Sequence, residues 1–343
     1  MKMSRIAALL VTALVFLCLT VVFAGFLAPY DVAQQNRKLA FAPPSVIHFA
    51  DASGRIHLHP SVCALEDRPG AFGEYRENHL NCFPIQYLVR GTPYEVFGVV
   101  KSNLHLFGVA PQTKIFLMGT DSYGRDLFSR FLCGGQISLL TGLTATLLSL
   151  AVGALLGTLA GYFGGWIDAS IMRGAELFLA LPWLYFLFAA RAFLPLSLSA
   201  TGAFWLLIAV MSLVGWARPA RLIRGVVLSS RERHYVLAAR LFGGSDTYIM
   251  RRHILPETYS ILLTQAVLLI PQYVLAEVTL SFLGLGVTEP TPTWGNMLST
   301  LQKYSVLASY WWMLIPGLLL VPVFCGFVLL ANELQPGRKA RAA

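Results

Sequence analysis

Few side chains in this sequence could do chemistry, and the most unusual is an acid inside an apolar run. Glu277 lies in the apolar segment that covers about residues 259–283. A carboxylate is costly in lipid, so an intramembrane acid is a functional candidate by default. Glu277 is only a few residues from the end of its run, where water could reach it. Two roles therefore remain open, contact with a substrate and a hydrogen bond that holds neighbouring segments together.

The sequence lacks the motifs of nucleotide, zinc-protease and serine-hydrolase sites. It contains no G-x-x-x-x-G-K-[ST], no H-E-x-x-H and no G-x-S-x-G. His57 and His59 would share one face of a strand, but no cluster of cysteines or carboxylates stands nearby to complete a metal site. A solvated strand face is the preferred interpretation. We predict no metal site, no cofactor and no catalytic residue.

Composition indicates a membrane protein. The chain has 343 residues, of which 56% are hydrophobic and 13% charged, and its mean hydropathy is +0.63. Soluble domains average about 25% charged residues, and a helix of roughly 20 apolar residues crosses a bilayer. The predicted fold class is an all-α polytopic membrane protein. The net charge is +9, and the arginines lie beside apolar runs. This position favours a role in membrane topology over binding of nucleic acid.

Six apolar segments organise the chain into three parts. They cover about residues 6–28, 137–160, 174–193, 201–217, 259–283 and 310–331. We predict a first transmembrane helix over 1–28, an extracytoplasmic insertion over 29–118 and a core of five transmembrane helices over 119–343. Loops rich in Lys and Arg face the cytoplasm, so both termini are predicted on that side.

Two features of the core predict how its helices pack and bend. Gly153, Gly157 and Gly161 are four residues apart, which favours close approach of another helix. Pro182 lies inside the third apolar segment and predicts a kink there. Both features concern packing rather than chemistry.

The insertion is predicted to be small and partly β. Short strand-like runs in it are separated by Gly, Pro and Asp. It contains Cys63 and Cys82, which could form a disulfide in an oxidising compartment. Two unpaired thiols are the alternative, and the sequence leaves both open.

A charged segment follows the insertion at residues 119–130. Thr120 or Asp121 could start a helix. Asp121 and Arg125 are spaced for an i,i+4 ion pair, as are Asp126 and Arg130. The segment is predicted to be an amphipathic helix at the membrane surface.

The most basic part of the chain is the loop of residues 218–257, with eight arginines and three acids. A helix is predicted from Glu232 to Phe242, and the glycines at 243–244 should end it. Ser245 or Asp246 could start a second short helix. Pro256 is expected to end that helix. Such a compact shape favours docking on a soluble partner, while an ordinary basic loop remains the alternative.

Four stretches resemble the permease subunits of ABC importers. The first is Ala238-Ala239 with Gly243 and Leu255-Pro256, which looks like the EAA loop of that family. The others resemble dipeptide and oligopeptide permease C-type subunits in residues and in order. They are GTDSYGRD at 119–126, GYFGGWID at 161–168, and LSFLGLG at 280–286 with PTWGNM at 292–297.

The resemblance implies a type I importer permease fold of six transmembrane helices in the inner membrane. It implies a non-catalytic subunit that pairs with a second permease, contacts lipid and receives peptide from an extracytoplasmic binding protein. ATP hydrolysis would occur in cytoplasmic partner subunits. The loop would dock on that ATPase through Leu237, Ala238, Ala239, Gly243, Gly244, Ser245, Leu255 and Pro256.

Two features depart from the family pattern. Leu237 stands where the family has a glutamate before the two alanines. The outer segment is also longer than usual, and contact with the binding protein, contact with the partner permease and a lid remain open as its roles.

Three alternatives remain open at this point. Within the same architecture, the solute could be nickel or another small molecule. A secondary transporter or channel would show polar residues in several spans and inverted repeats, whereas mainly Glu277 is found. A membrane-anchored interaction protein would use its outer part and tolerate changes at Ala239 and Gly243.

Overall fold

The computed structural model describes residues 5–50, 56–67, 75–96, 100–192 and 199–334. The basic C-terminal residues, on which the prediction of a cytoplasmic C-terminus depends, lie outside these ranges. The chain divides into two compact units. The helical unit comprises the described residues of 1–11, 139–280 and 324–343, and the mixed unit those of 12–138 and 281–323.

The described chain is mostly helical. Its α-helices are α1 Arg5–Val22, α2 Ala24–Leu27, α3 Leu127–Phe163, α4 Gly165–Ala180, α5 Trp183–Ala192, α6 Ala200–Gly215, α7 Ala217–Ser230, α8 His234–Leu241, α9 Asp246–Ile249, α10 Tyr259–Phe282, α11 Trp294–Ser299, α12 Tyr304–Ser309 and α13 Ile315–Leu334. Four helical stretches are long and apolar enough to cross a membrane, at 127–163, 200–230, 246–282 and 311–331. The bent pair α4–α5 provides a fifth candidate.

Among the described residues between α2 and α3, five strands are present. They are β1 His48–Ala50, β2 Ile56–Asp67, β3 Tyr75–Pro84, β4 Gln86–Val96 and β5 Val100–Gly108. One antiparallel sheet has the order β1-β2-β3, and β4 pairs with β5 in a second. Cys63 and Cys82 lie directly opposite each other in the β2–β3 ladder and are joined by a disulfide.

The charged segment at 119–130 is not the amphipathic surface helix that the sequence predicted. Its first part forms a turn closed by a bridge between Thr120 and Asp126, and α3 begins at Leu127. α3 then runs without a break to Phe163. The predicted second span is therefore part of a longer helix.

Asp126, rather than Thr120 or Asp121, holds the start of α3. Its Oδ2 accepts hydrogen bonds from the backbone N–H and the hydroxyl of Ser129, at 2.8 and 2.6 Å. These contacts satisfy a helix N–H that has no intrahelical acceptor. The carboxylate is thus directed at Ser129, and the prediction that Asp126 pairs with Arg130 is wrong.

Two buried arginines instead converge on an acid far along the chain. Arg125 makes the predicted pair with Asp121, with Nε 2.7 Å from Oδ2, and also lies 2.7 Å from Glu289. Arg130 lies 2.9 Å from Glu289 and 3.8 Å from Asp121. These pairs connect the turn before α3 to the segment after α10, both within the mixed unit.

The kink predicted at Pro182 is a break. α4 ends at Ala180 and α5 begins at Trp183, and the two helices differ in direction by 87°. Leu181 has an extended backbone, with φ −80° and ψ 133°. That conformation is expected before proline, whose ring disfavours a helical preceding residue.

The glycine face predicted on α3 lies against α7. A Cβ at Gly157 would be 2.5 Å from the carbonyl oxygen of Ala220, and one at Gly161 would be 2.7 Å from Val227 Cβ. Side chains at these positions would push the helices apart. The close approach brings the end of α3 to the segment that follows α7.

Candidate functional site

The stretch predicted to dock a partner forms two short helices with a left-handed turn between them. α8 and α9, with the turn, cover residues 234–249, and we call this segment the knob. The N–H of Gly243 donates to the carbonyl of Arg240 at 3.1 Å, and the N–H of Gly244 to that of Ala239 at 2.9 Å. This pair of bonds is the Schellman closure of a helix.

The two glycines of the turn are required for different reasons. Gly243 has φ +81°, in the left-handed region that other residues adopt at a cost. A Cβ at Gly244 would lie 2.8 Å from the carbonyl oxygen of Ala239. The Gly-Gly pair therefore determines how sharply the chain turns between the helices.

Ser245 starts the second helix of the knob. Its Oγ accepts from the N–H of Tyr248 at 3.3 Å, so of the two candidates it is the capping residue. Asp246, the other candidate, accepts instead from the hydroxyl of Tyr162 at 2.5 Å.

Tyr162, near the end of α3, connects both helices of the knob. Besides donating to Asp246, its oxygen accepts from Nη2 of Arg240 at 3.1 Å. The sequence contained one signal for this residue, its place in the GYFGGWID stretch. The contact fixes the knob to α3 at a point where α3 also meets α7.

Apolar side chains beneath the knob hold it on α7. Val236 of α8, Ile249 of α9 and Ile254 are fully buried, together with Ile223 and Val227 of α7. Ala238 and Ala239 are half-buried, and Ala239 packs against the same cluster. Burial of a side chain of this size contributes about 1.5–3 kcal/mol, so the knob is anchored through its inner face.

The outer face of the knob is apolar and exposed. Leu241 is 87% exposed, Phe242 92% and Leu237 43%, and we call these three residues the apolar tip. Leu237 and Leu241 are four residues apart and share a face of α8. Exposed apolar clusters mark binding surfaces. Of the three, the sequence singled out only Leu237.

Several arginines of the predicted loop have partners within the helical unit. Arg224 makes a bidentate pair with Asp168 of the GYFGGWID stretch. Arg231 donates to the carbonyl of Gly161 at 3.2 Å, and Arg233 lies 3.4 Å from Glu257. These arginines hold the loop to its own chain.

The prediction that Pro256 ends the second helix is wrong. A π-helical turn, Met250–Ile254, and a 3-10 turn, Leu255–Thr258, connect α9 to α10. Proline lacks an N–H and clashes with the preceding turn of a regular α-helix, and the change of helix type accommodates it. Leu255 and Pro256 are both exposed on this connection.

Glu277 is fully buried in α10. Within this chain its side chain has no exposed surface, although it is near the end of the helix. Its burial favours the structural role of the two that the sequence left open.

Comparison with known proteins places this site within a family. Residues 153–338 match the family described as binding-protein-dependent transport system inner membrane component. The matched range contains α7 to α10, and with them the whole knob. The chain belongs to this family.

Curated members of the family are similar over most of the chain. A protein named as a peptide permease of Brucella suis biovar 1 is 37% identical over 241 residues, 70% of this chain and 78% of that protein. The dipeptide transport system permease protein DppC of Bacillus subtilis is 35% identical over 63% of this chain and 66% of its own. The oligopeptide permease OppC of the same organism is 34% identical over 66% of this chain and 72% of its own.

A solved structure also aligns with this family member. It is a chain of an amino acid ABC transporter with histidines, 17% identical, with a TM-score of 0.43, and the match covers 60% of this chain and 91% of the other. A likeness of this size carries no argument about the site. Family membership and the apolar helices together identify a multi-pass inner membrane component.

Proposed function

We propose that this family member is the permease subunit of an ATP-driven, binding-protein-dependent importer and forms half of the path for peptides. The family is defined by binding-protein-dependent transport. Relatives at 34–37% identity are named as peptide, dipeptide and oligopeptide permeases. These names favour peptides over nickel or another small solute.

The knob receives movement from a cytoplasmic ATPase and transmits it to the helices. The observation that carries this role is the apolar tip, which projects from a segment whose inner face is anchored. Leu241 and Phe242 are nearly fully exposed, while Val236 and Ile249 beside them are fully buried. A rigid segment with an exposed apolar end suits insertion into a groove of a partner.

Rigid connections lead from the knob into three helices. Tyr162 is on α3, Ile223 is on α7, and the π turn continues into α10. Force applied at the apolar tip therefore acts on long helices rather than on a flexible loop. The subunit itself is non-catalytic, with ATP hydrolysis in the partner.

The remaining features of the assembly follow from this role. A second permease completes the path, and an extracytoplasmic binding protein delivers the solute. α1 is the first of six transmembrane helices, followed by α3, the bent pair α4–α5, α6–α7, α10 and α13. The division at 1–28, 29–118 and 119–343 places the β region outside and both termini inside.

The docking role is tested by placing charge on the apolar tip. Leu241→Asp and Phe242→Asp should each abolish co-purification of the ATPase and reduce peptide uptake at least about tenfold. A buried carboxylate without a partner costs several kcal/mol at an interface. The measurements are uptake of labelled peptide and ATPase recovered with the affinity-purified permease.

His234→Asp provides the matched control. It adds the same charge at the first residue of α8, at the opposite end of the helix from Leu241 and Phe242. An acid is favourable in the first turn of a helix, so this variant should keep both readouts. If Leu241→Asp and Phe242→Asp left co-purification unchanged, the knob would not be the docking site.

A further inference from the structure

Four side chains with metal-ligating atoms meet on one face of the β1-β2-β3 sheet. They are His48 on β1, Cys63 on β2, and Glu77 and His79 on β3, and their ligand atoms all lie within 4.8 Å of one another. The sequence predicted no metal site, because these four residues are not neighbours along the chain. His48 and Glu77 are 29 positions apart, and only strand pairing brings them together.

Strand register explains why these residues share a face. His48 is opposite Ser61, and Glu77 is opposite Leu65. Directly opposed residues in an antiparallel pair point to the same side, and residues two apart on a strand do so as well. The side chains of Ser61, Cys63 and Leu65 therefore share one face of β2. His48 and Glu77 are opposite Ser61 and Leu65, so they point to the face that carries Cys63.

A bulge in β3 adds the remaining ligand. Cys63 is opposite Cys82 while its neighbour Ala64 is opposite Asn78, so residues 79–81 have no counterpart on β2. Bulges redirect side chains out of the regular alternation. Here His79 Nδ1 lies 3.9 Å from Cys63 Sγ, and the His79 ring meets the His48 ring edge-on, with their centroids 5.8 Å apart.

We propose that this face binds a zinc-class divalent cation through His48 Nε2, the Glu77 carboxylate and His79 Nδ1. His48 Nε2 and Glu77 Oε2 are 2.8 Å apart. Two such ligands on a tetrahedral zinc are separated by about 3.3 Å, given metal–ligand bonds of about 2.0–2.2 Å. A shift of well under an ångström brings this pair to that separation, and His79 Nδ1 lies within 4.8 Å of both atoms. The ion would replace the proton between imidazole and carboxylate.

The donor set favours zinc-class ions over magnesium or calcium. Two imidazoles and one carboxylate suit zinc and its transition-metal neighbours, whereas magnesium and calcium take mostly oxygen ligands. Three protein ligands leave a fourth position for water. Cys63 Sγ lies within 4.8 Å of the three ligand atoms but is bonded to Cys82, and a disulfide sulfur is not the thiolate that binds metals. The site is thus a three-ligand site in the disulfide form.

The site is partly buried, and His79 is its exposed ligand. The side chains of His48 and Glu77 are 29% and 17% exposed, and Cys63 beneath them is buried. Partial burial strengthens the attraction between a cation and Glu77. The inference is independent of the import role, because it concerns the β region alone.

The test uses the full-length protein in detergent, purified with a tag that contains no histidine. The protein keeps its disulfide, is stripped with a chelator and is then titrated with Zn²⁺ against a chromophoric zinc indicator. We expect one Zn²⁺ per chain, and no competition from Mg²⁺. His48→Gln and His79→Gln should each weaken Zn²⁺ affinity at least about 100-fold, since loss of even an outer-shell partner costs 10–100-fold.

Glu66→Gln is the matched control. Glu66 is an exposed carboxylate on β2 that accepts from Asn78 Nδ2 at 2.8 Å and is outside the ligand set. It should bind Zn²⁺ like the unaltered chain. The proposal is overturned if the unaltered chain binds no Zn²⁺, if both histidine variants bind it normally, or if binding appears only after the disulfide is reduced.

Discussion

Asp126 is a buried carboxyl whose two oxygens have different surroundings. Oδ2 accepts both bonds from Ser129, whereas Oδ1 has no hydrogen-bond partner among the described residues. Burial raises the pKa of Asp126 to about 6, although the bonds from Ser129 act in the opposite direction. The fold therefore favours the protonated form of this residue.

This shift predicts a pH dependence of stability. The folded protein binds the proton of Asp126 more tightly than the unfolded chain, whose pKa is near 3.8. The stabilising contribution of this proton is present at low pH and is lost as the pH rises from about 4 through about 6. Asp126→Asn cannot ionise, so its thermal midpoint relative to the unaltered protein should rise over that window.

The measurement is thermal unfolding in detergent at several pH values between about 4 and about 7.5. At the upper end of this pH range, the free energies of unfolding of Asp126→Asn and of the unaltered protein should differ by on the order of a few kcal/mol. This is the amount to which the shift in pKa corresponds. Asp31→Asn removes an exposed carboxyl of the same unit and serves as the control. A constant difference between Asp126→Asn and the unaltered protein across the window would contradict the prediction.

Leu237 changes the surface of the knob without changing the backbone fold of the knob. It stands where the resembling family has glutamate, and it is 43% exposed beside Leu241. Here it enlarges the apolar tip instead of adding a charge. The backbone closure at Gly243 and Gly244 does not involve its side chain, so the shape of the knob is retained.

At the scale of elements, the knob depends on the left-handed turn between α8 and α9. Gly243→Val should strain that turn by about 1–3 kcal/mol, since a β-branched residue is poorly tolerated at φ +81°. We expect faster proteolysis within 234–249 and loss of ATPase co-purification, while the membrane helices stay folded. Limited proteolysis and co-purification measure the two effects.

Gly225→Ala is the control for a glycine substitution. Gly225 lies within α7, and a Cβ there meets nothing within 4 Å. Alanine is the better helix former by up to about 1 kcal/mol, so proteolysis and co-purification should be unchanged. Equal behaviour of the two variants would show that the left-handed turn is not what maintains the knob.

Three prolines illustrate how context decides the outcome for a helix. Pro182 separates α4 from α5, with an 87° change of direction. Pro256 lies in a 3-10 turn that leads into α10. Pro271 lies inside α10, which continues through it. Proline lacks a backbone N–H, which is lost as a hydrogen-bond donor only where the residue lies inside a helix, as Pro271 does.

At the scale of the whole molecule, the proposed topology predicts opposite labelling of the knob and the insertion. Leu80→Cys and Phe242→Cys introduce thiols at positions that are 94% and 92% exposed. The free cysteines Cys18, Cys133 and Cys325 are first replaced by alanine, while the disulfide is kept.

A membrane-impermeant maleimide should label Leu80→Cys after the outer membrane is opened. It should label Phe242→Cys only after the inner membrane is disrupted. Labelling of both positions from the same side would contradict the topology. The same preparations, analysed without reductant, report whether Cys63 and Cys82 are joined in the cell.

The sequence by itself determined the features that depend on local pattern. Apolar length and charge indicated a membrane protein of several spans. The left-handed closure at Gly243 followed from the backbone preferences of glycine. Pro182 predicted a kink at the place where the structure has a full break. Resemblance at four short stretches pointed to the family that residues 153–338 match.

Only the tertiary structure decided which distant residues meet. Glu289 with Arg125, Tyr162 with Asp246, and His48 with Glu77 are each separated by 29 to 164 positions. Sequence pattern reports periodicity over one element, whereas such contacts depend on how elements pack and on strand register. For the same reason the apolar tip could be recognised only from the structure, which shows that the other face of the knob is buried against α7.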